Sequence, residues 1–369
     1  MSERVILKGN DAIAEAAIRA GCDCYFGYPI TPQNELTAYM AKHMPELGRT
    51  FIQAESEIAA INMVYGAASA GARAMTSSSG PGMSLKQEGI SFLVGAELPA
   101  FIVNIARGGP GLGNIAPSQA DYFQSCKGGG HGDYHMVVYA PSTVQEAADL
   151  TAKAFDVADK YRNPVLMLGD AILGQMMEPL EFKSFTPNRP EKPWALGGKR
   201  NGREPNLINS LSLDEGVVED WNWKFKAKFD AMRQSEGMVE TVQTGDADLV
   251  LVAYGTSARI CRSVMLKARA QGLKVGLVRP ITVWPFPYAV LRGLAETAKE
   301  FLVVEMSLGQ MIEDVKLAVL DHAALHFHGR PGGGIPVEKD ILEIIEHVLV
   351  RKRKGTVTTR GSVIDWAIS

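Results

Sequence analysis

The sequence predicts an α/β protein, doubly wound in its larger part, with a second and smaller α/β unit behind it. Three observations predict this. Helix-like and strand-like segments alternate over residues 8–180. The strand-like segments are short apolar runs closed by turn residues, as buried parallel strands are. The same alternation resumes near Ala247, after a stretch of different composition.

Asn10–Ala20 has apolar residues at helical spacing, with Asn10 or Asp11 as its cap. Tyr25–Tyr28 is a short strand, and a helix begins near Gln33 with Thr31 as its cap. Glu57–Ala70 is a helix rich in Ala and Gly, which permits close packing on a sheet. Ala74–Ser78, Ala100–Ile105, Met136–Tyr139 and Val165–Leu168 read as strands. Thr143–Lys160 is an amphipathic helix with Glu146 in its first turn and Lys160 in its last, as the helix dipole favours. Residues 1–181 are read as the first domain.

Residues 182–245 are read as a linker with a charged helix. Pro187, Pro190, Pro193 and several glycines lie among mixed charges in Phe182–Arg203, and Trp221–Ser235 supplies the helix. The second domain is placed at 246–350. There Leu249–Tyr254 is a strand ending at Gly255-Thr256-Ser257, Ile260–Gln271 a helix, and Val275–Val278 a strand ending at Arg279-Pro280. Phe301–Glu305 is another strand, Gly309-Gln310 opens a helix, and Pro336–Leu349 is the last helix. Trp284-Pro285-Phe286-Pro287 reads as a packed corner of this domain. Residues 351–369 are a tail with a solvated basic patch at Lys352–Lys354.

The bulk numbers exclude several function classes. A net charge of −3 gives no reason to expect nucleic acid or an anionic membrane as partner. No apolar run nears the roughly 18 residues needed to span a bilayer, and Met1–Leu7 has no signal-peptide pattern. A cytoplasmic protein is expected. Cys22, Cys24, Cys126 and Cys261 lack the Cys-x-x-Cys spacing of zinc and iron–sulfur sites, so inert thiols are expected. His322 and His326 lie at i, i+4 on a possible helix close to His328, but no carboxylate or cysteine completes a metal set.

Ligands of open parallel sheets bind beyond the C-terminal ends of the strands. Here those ends carry the chemistry. Tyr28-Pro29-Ile30-Thr31-Pro32 is a stiff strand-to-loop switch. Glu57 opens a helix beside Ile58-Ala59-Ala60-Ile61, so its carboxylate is expected to border an apolar wall and to seek a partner; a heteroaromatic nitrogen would suit. Ser77-Ser78-Ser79-Gly80-Pro81-Gly82 could cradle an anion at a helix N-terminus but lacks the Lys-Ser/Thr of a Walker loop. Arg107, in an otherwise uncharged glycine-rich loop, could bind a carboxylate in bidentate fashion. His131, in the Lys127–Asp133 loop, either is satisfied by backbone or touches a substrate.

Together these segments are specific. Gly27-Tyr28-Pro29-Ile30-Thr31-Pro32, Gln53-Ala54-Glu55-Ser56-Glu57, Thr76-Ser77-Ser78-Ser79-Gly80-Pro81-Gly82 and Ala106-Arg107-Gly108-Gly109-Pro110 resemble the α subunit of 2-oxoacid:ferredoxin oxidoreductases, which are thiamine diphosphate enzymes. The resemblance covers essentially the whole chain, including Glu305-Met306 and Gly309-Gln310-Met311. Gly111-Leu112-Gly113, Pro117–Gln124 and Lys127–Tyr134 resemble the branched-chain 2-oxoacid type; the 2-oxoglutarate type carries Ser-Thr-Gly where Gly111-Leu112-Gly113 stands. The resemblance implies a pyrimidine-binding-type first domain and a transketolase-C-terminal-like second. It implies oxidative decarboxylation of a 2-oxoacid to acyl-CoA and CO₂ with ferredoxin reduction. Glu57 would hydrogen-bond N1′ of the aminopyrimidine, Thr31 and Arg107 would contact substrate, and Tyr28, Pro29, Ile30 and Ser79 would line the cofactor.

The family's Gly-Asp-Gly…Asn motif, which holds diphosphate and magnesium, is absent; Gly169-Asp170-Ala171 is the nearest string, and Asp170 is read as a strand-end residue. The resemblance therefore implies half of an active site. A β subunit would supply the diphosphate and magnesium half, small iron–sulfur and γ subunits the electron exit to ferredoxin, with coenzyme A as co-substrate in a hetero-oligomer. The alternatives are a pyruvate or 2-oxoglutarate type, a non-redox thiamine decarboxylase or transketolase-like subunit, and a scaffold; Glu57 argues against the scaffold.

Overall fold

The computed structural model describes residues 4–183, 185–198 and 204–351. The Lys352–Lys354 patch and the end of the Phe182–Arg203 stretch lie outside the described residues. The chain begins with β1 (Arg4–Lys8), α1 (Gly9–Arg19), β2 (Cys24–Gly27), α2 (Asn34–Glu46), β3 (Thr50–Gln53), α3 (Glu57–Ser69), β4 (Ala74–Ser78) and α4 (Pro81–Gly95). There follow β5 (Ala100–Ala106), α5 (Tyr122–Cys126), β6 (Val137–Tyr139), α6 (Val144–Tyr161), β7 (Pro164–Asp170), α7 (Ala171–Gln175) and β8 (Met177–Glu181). After α8 (Val217–Ser235) come β9 (Val239–Val242), β10 (Leu249–Val252), α9 (Gly255–Ala270), β11 (Val275–Pro280), β12 (Thr282–Trp284) and α10 (Tyr288–Ala295). The last elements are β13 (Glu300–Glu305), α11 (Met311–Val319), β14 (Ala324–Gly329) and α12 (Glu338–Glu346).

Local chemistry starts the helices. Ser56 Oγ accepts from Ala59 N at 3.2 Å and caps α3. Thr143 Oγ1 accepts from Glu146 N at 3.1 Å while the Glu146 carboxylate accepts from Ser142 N at 2.8 Å, a reciprocal cap on α6. Asp170 caps α7 by accepting from Ile172 N and Leu173 N. Gly80, at φ +48, makes the turn that lets Pro81 open α4.

The larger sheet has seven strands in the order β12-β6-β7-β5-β4-β2-β3. All its pairings are parallel except the antiparallel contact of β12 with β6. From β2 the chain steps outward to β3 and then returns to the other side of β2 as β4. The strand order thus reverses between β2 and β4, which is the switch point where doubly wound sheets open a ligand crevice. The smaller sheet runs β14-β13-β10-β11-β9, with β9 antiparallel at its edge. Its order reverses between β10 and β13. One apolar core continues across both sheets, from Phe101 and Val165 to Val250, Val278 and Phe301.

Several expectations are corrected. The Trp284 corner is not internal to the second unit: Thr282–Trp284 forms an edge strand of the first sheet. His326, read with His322 on a possible helix, lies instead in β14, which pairs with β13 along its length. His326 Nε2 there meets Glu300 Oε2 at 2.7 Å. Gly255-Thr256-Ser257 is no loop but the first turn of α9. The strand at Val239–Val242 closes what was read as linker.

Candidate active site

The loop after β2 and the loop after β4 flank the first switch point, and the loop after β5 lies beside them. Backbone register puts Gly27 beside Gln53, and Ser78 beside Asn104, at that edge. The residues singled out from sequence gather there. Tyr28 and Thr31 are exposed on the β2 loop, Ile30 is half-buried, and Ser79 is buried at the β4 end.

Glu57 is 5 % exposed in the first turn of α3. Of the apolar residues that follow it, Ile58 turns outward to solvent while Ala60 and Ile61 are buried. The carboxylate faces polar groups: a Cβ on Gly82 would run into Glu57 Oε1 and Ser78 Oγ. Gly82 is therefore a close-approach position, and only a residue without a side chain lets α4 start against Glu57. Behind it lies Lys86, fully buried, whose ammonium donates to Thr76 Oγ1 and to Ser77 O at 3.1 Å. Burial pulls the Lys86 amine down to about 7, with Glu57 acting in the opposite direction.

Thr31 does not cap α2. The turn closed by Gln33 N on Ile30 O intervenes, and Gln33 stands at the cap position without a side-chain cap bond. Instead the Thr31 carbonyl accepts from Arg107 Nη1 at 2.8 Å. Arg107 Nη2 donates to Leu112 O at 3.1 Å, and Nε has no partner. The guanidinium is buried, so it ties the β2 loop to the glycine-rich loop while its Nε–H stays free. Asp121, held by Asn104 Nδ2 at 2.9 Å, lies within its field; burial raises the Asp121 carboxyl, while Asn104 and Arg107 pull it back.

Sequence reasoning missed the support behind the loops. Gln33 Nε2 donates to Tyr28 O at 3.3 Å, and Gln33 Oε1 accepts from Thr37 Oγ1 at 3.1 Å and Ser77 Oγ at 2.5 Å. Tyr25 OH meets the same Ser77 Oγ at 2.6 Å. This buried network fixes the β2 loop against β4. Its signal in the sequence was faint: Tyr25 and Gln33 flank the motif without belonging to it.

Other candidates fall elsewhere. The His131 carbonyl accepts from Ser91 Oγ at 2.7 Å, and its ring packs edge-on to Phe92, well along α4 from Glu57. Asp170 is spent on the α7 cap, where burial raises its carboxyl. No group of three or more His, Cys, Asp or Glu able to hold a metal occurs among the described residues.

The site has the marks of a polar ring-binding pocket with an anion anchor. Ser78 Oγ, Ser79 Oγ and Arg107 Nε are buried polar atoms without partners at one crevice. They suit the polar edge of a heteroaromatic ring and a carboxylate, and no converging acids suit a metal-bound diphosphate. The residues present thus fit the pyrimidine half of thiamine diphosphate.

Comparison with known proteins agrees. The family described as "Pyruvate flavodoxin/ferredoxin oxidoreductase, thiamine diP-bdg" matches residues 15–243, and "Pyruvate:ferredoxin oxidoreductase core domain II" matches 247–341. The chain is 54 % identical over 344 residues to ketoisovalerate oxidoreductase subunit VorB of Methanothermobacter marburgensis, covering 93 % of this chain and 97 % of that one. It is 36 % identical to 2-oxoglutarate synthase subunit KorA of Methanothermobacter thermautotrophicus, covering 94 % and 99 %. A solved 2-oxoglutarate:ferredoxin oxidoreductase of Magnetococcus marinus, with 2-oxoglutarate, coenzyme A and succinyl-CoA bound, superposes with a TM-score of 0.85 at 27 % identity. That match covers 94 % of this chain and 65 % of the solved one, so this chain spans just under two thirds of that subunit's length. A split-gene transketolase shares the fold at a TM-score of 0.60 and 14 % identity. With both of its parts matched in order and near-full-length relatives on either side, the chain belongs to the 2-oxoacid:ferredoxin oxidoreductase family, as one of its thiamine diphosphate-binding subunits.

Proposed function

We propose that this chain forms the pyrimidine side of the active site in an oxidoreductase acting on branched-chain 2-oxoacids, with Glu57 as its acid–base group. The observation that carries the reading is Glu57 itself. It is a buried carboxylate at a helix N-terminus, on the switch point, beside the Ser78 hydroxyl, which has no protein partner. Thiamine diphosphate, when bound, supplies the electron sink for decarboxylation. Glu57 holds or releases a proton at the pyrimidine nitrogen. Tyr28, Pro29, Ile30 and Ser79 line the ring, Thr31 meets the substrate, and Arg107 Nε takes the substrate's 1-carboxylate.

One feature supports a shared site. On the loops and elements that carry the site residues, Leu112 and Ile115 are 81 % and 65 % exposed, and Ile52, Ile58 and Leu85 are near half. Clustered exposed apolar groups mark protein contacts. They suit a partner chain carrying the diphosphate and magnesium, with iron–sulfur clusters on further subunits and ferredoxin as acceptor. Coenzyme A is bound in the Magnetococcus relative and is the expected acyl acceptor here. The branched-chain preference rests on the 54 % relative, a ketoisovalerate oxidoreductase subunit, against 36 % for the 2-oxoglutarate one.

Glu57→Gln tests the reading. The assembled complex should elute unchanged on gel filtration and lose at least ~10²-fold in turnover, as when a positioned acid–base group is removed. Near-normal turnover in the intact complex overturns the assignment.

A further inference from the structure

Lys86 belongs to no motif of the crevice, yet it is fully buried. Lysine is almost never buried without a counter-charge. Its ammonium donates to Thr76 Oγ1 and Ser77 O, both uncharged, and the opposite charge acting on it is Glu57. The helix geometry explains the link. Gly82 lies one turn before Lys86 on the same face of α4, and helical side chains lean toward the N-terminus. Gly82 is the residue whose missing side chain leaves room for the Glu57 carboxyl. The Lys86 side chain therefore runs beneath Gly82 toward Glu57.

We propose that Lys86 is a positioning residue for Glu57, its buried ammonium fixing the charge and place of the carboxylate that serves the cofactor ring. The proposal rests on the thiamine reading above. The ammonium stands as a fixed charge behind the carboxylate while Glu57 exchanges a proton with the ring nitrogen. Lys86 keeps its own proton in that step. A purely structural strut would be an odd choice here, since an apolar side chain of similar volume fills a buried site without desolvating a charge.

The surroundings of Lys86 are sparse in charge. On α3 it faces Glu57, and on β4 the Thr76 hydroxyl and Ser77 carbonyl. The Tyr25 phenol of β2 reaches it only through Ser77. Asp170 at the end of β7 turns to its own helix cap, and His131 sits further along the outer side of α4.

The full chain without cofactor gives the first readout. The Lys86 amine titrates near pH 7 when folded against 10.5 ordinarily. The unfolded chain then binds more protons between those values, so stability rises with pH across that window. Lys86→Met should remove this slope in the pH dependence of Tm. Glu57→Gln should move the Lys86 titration to lower pH, because the carboxylate holds the amine's proton. In the assembled complex, Lys86→Met should lower kcat at least ~10-fold with KM unchanged and erase the limb near pH 7. The double variant should be no slower than Glu57→Gln alone. A Lys86 titration unmoved by Glu57→Gln, or a Lys86→Met complex with the wild-type pH profile, overturns the proposal while leaving the thiamine assignment standing. Normal turnover in Glu57→Gln overturns both.

Discussion

Arg107 serves two ends with one guanidinium. Its Nη1 and Nη2 hold carbonyls of two different loops, at Thr31 and Leu112, and its Nε remains free at the crevice. A lysine could supply the charge but not the fork. Arg107→Lys should therefore raise KM for every 2-oxoacid by at least ~10-fold, as loss of a charge-assisted hydrogen bond from a guanidinium held in place by two loops would, while leaving their ranking unchanged. Steady-state kinetics on a panel of 2-oxoacids checks this; a reordered ranking would show that Arg107 reads the side chain. At this scale the sequence revealed the residues whose setting is local. Glu57, Ser79 and Arg107 stand out because a strand end or a glycine loop isolates them. Lys86 does not, because its meaning lies in burial against α3, which no spacing along α4 announces. Thr31 misled for the same reason: its hydroxyl looked like a cap, while it is the carbonyl that is held.

At the scale of elements, the two switch points have opposite fates. The first carries the unpartnered Ser78 Oγ, Ser79 Oγ and Arg107 Nε. The second, between β10 and β13, is filled by a residue of the first domain. Gln119 Nε2 donates to Tyr254 O at 2.9 Å, and its Oε1 accepts from Ser257 Oγ at 2.7 Å and Met306 N at 2.9 Å. Tyr254 OH donates back to Gln119 O at 3.1 Å. Glu305 is absorbed as well, accepting from the N–H groups of Gln310, Met311 and Ile312 at the start of α11; burial raises its carboxyl. Through Met306 and Gln310, the Glu305-Met306 and Gly309-Gln310-Met311 motifs thus help lock the two sheets together. Gln119→Ala leaves buried partners unpaired and should cost about 1–3 kcal/mol, read as a lower denaturation midpoint. An unchanged midpoint would mean the domains dock without it. The central strands were legible because they are continuous apolar runs, as in β5 and β7. The edges β3, β9 and β14 were not, since strands partly open to solvent carry polar residues in no clear alternation.

At the scale of the molecule, the proposed ring site and anion anchor have no group of acids able to hold a metal beside them among the described residues. The chain alone should therefore bind thiamine diphosphate weakly, and calorimetry showing tight, magnesium-dependent binding to it would contradict the shared site. The same incompleteness bears on substrate choice. Arg107 can serve the 1-carboxylate that every 2-oxoacid carries. A second carboxylate, as in 2-oxoglutarate, would need a second cation, and the Gly108–Ala116 loop holds no charged residue. Leu112 and Ile115 are instead its most exposed large side chains, 81 % and 65 % open. Covered by a partner chain, as proposed above, they would form apolar walls near Arg107, the proposed carboxylate anchor. Burying an unpaired carboxylate against such walls costs several kcal/mol, whereas a branched alkyl group gains from the same contact. The assembled enzyme should thus show a higher kcat/KM for 3-methyl-2-oxobutanoate than for 2-oxoglutarate, by at least ~10²-fold if one unpaired charge is at stake. Leu112→Lys should narrow that gap by offering the missing cation. A clear preference of the wild type for the dicarboxylate would mean that a partner subunit supplies that cation, and that this loop does not set the substrate.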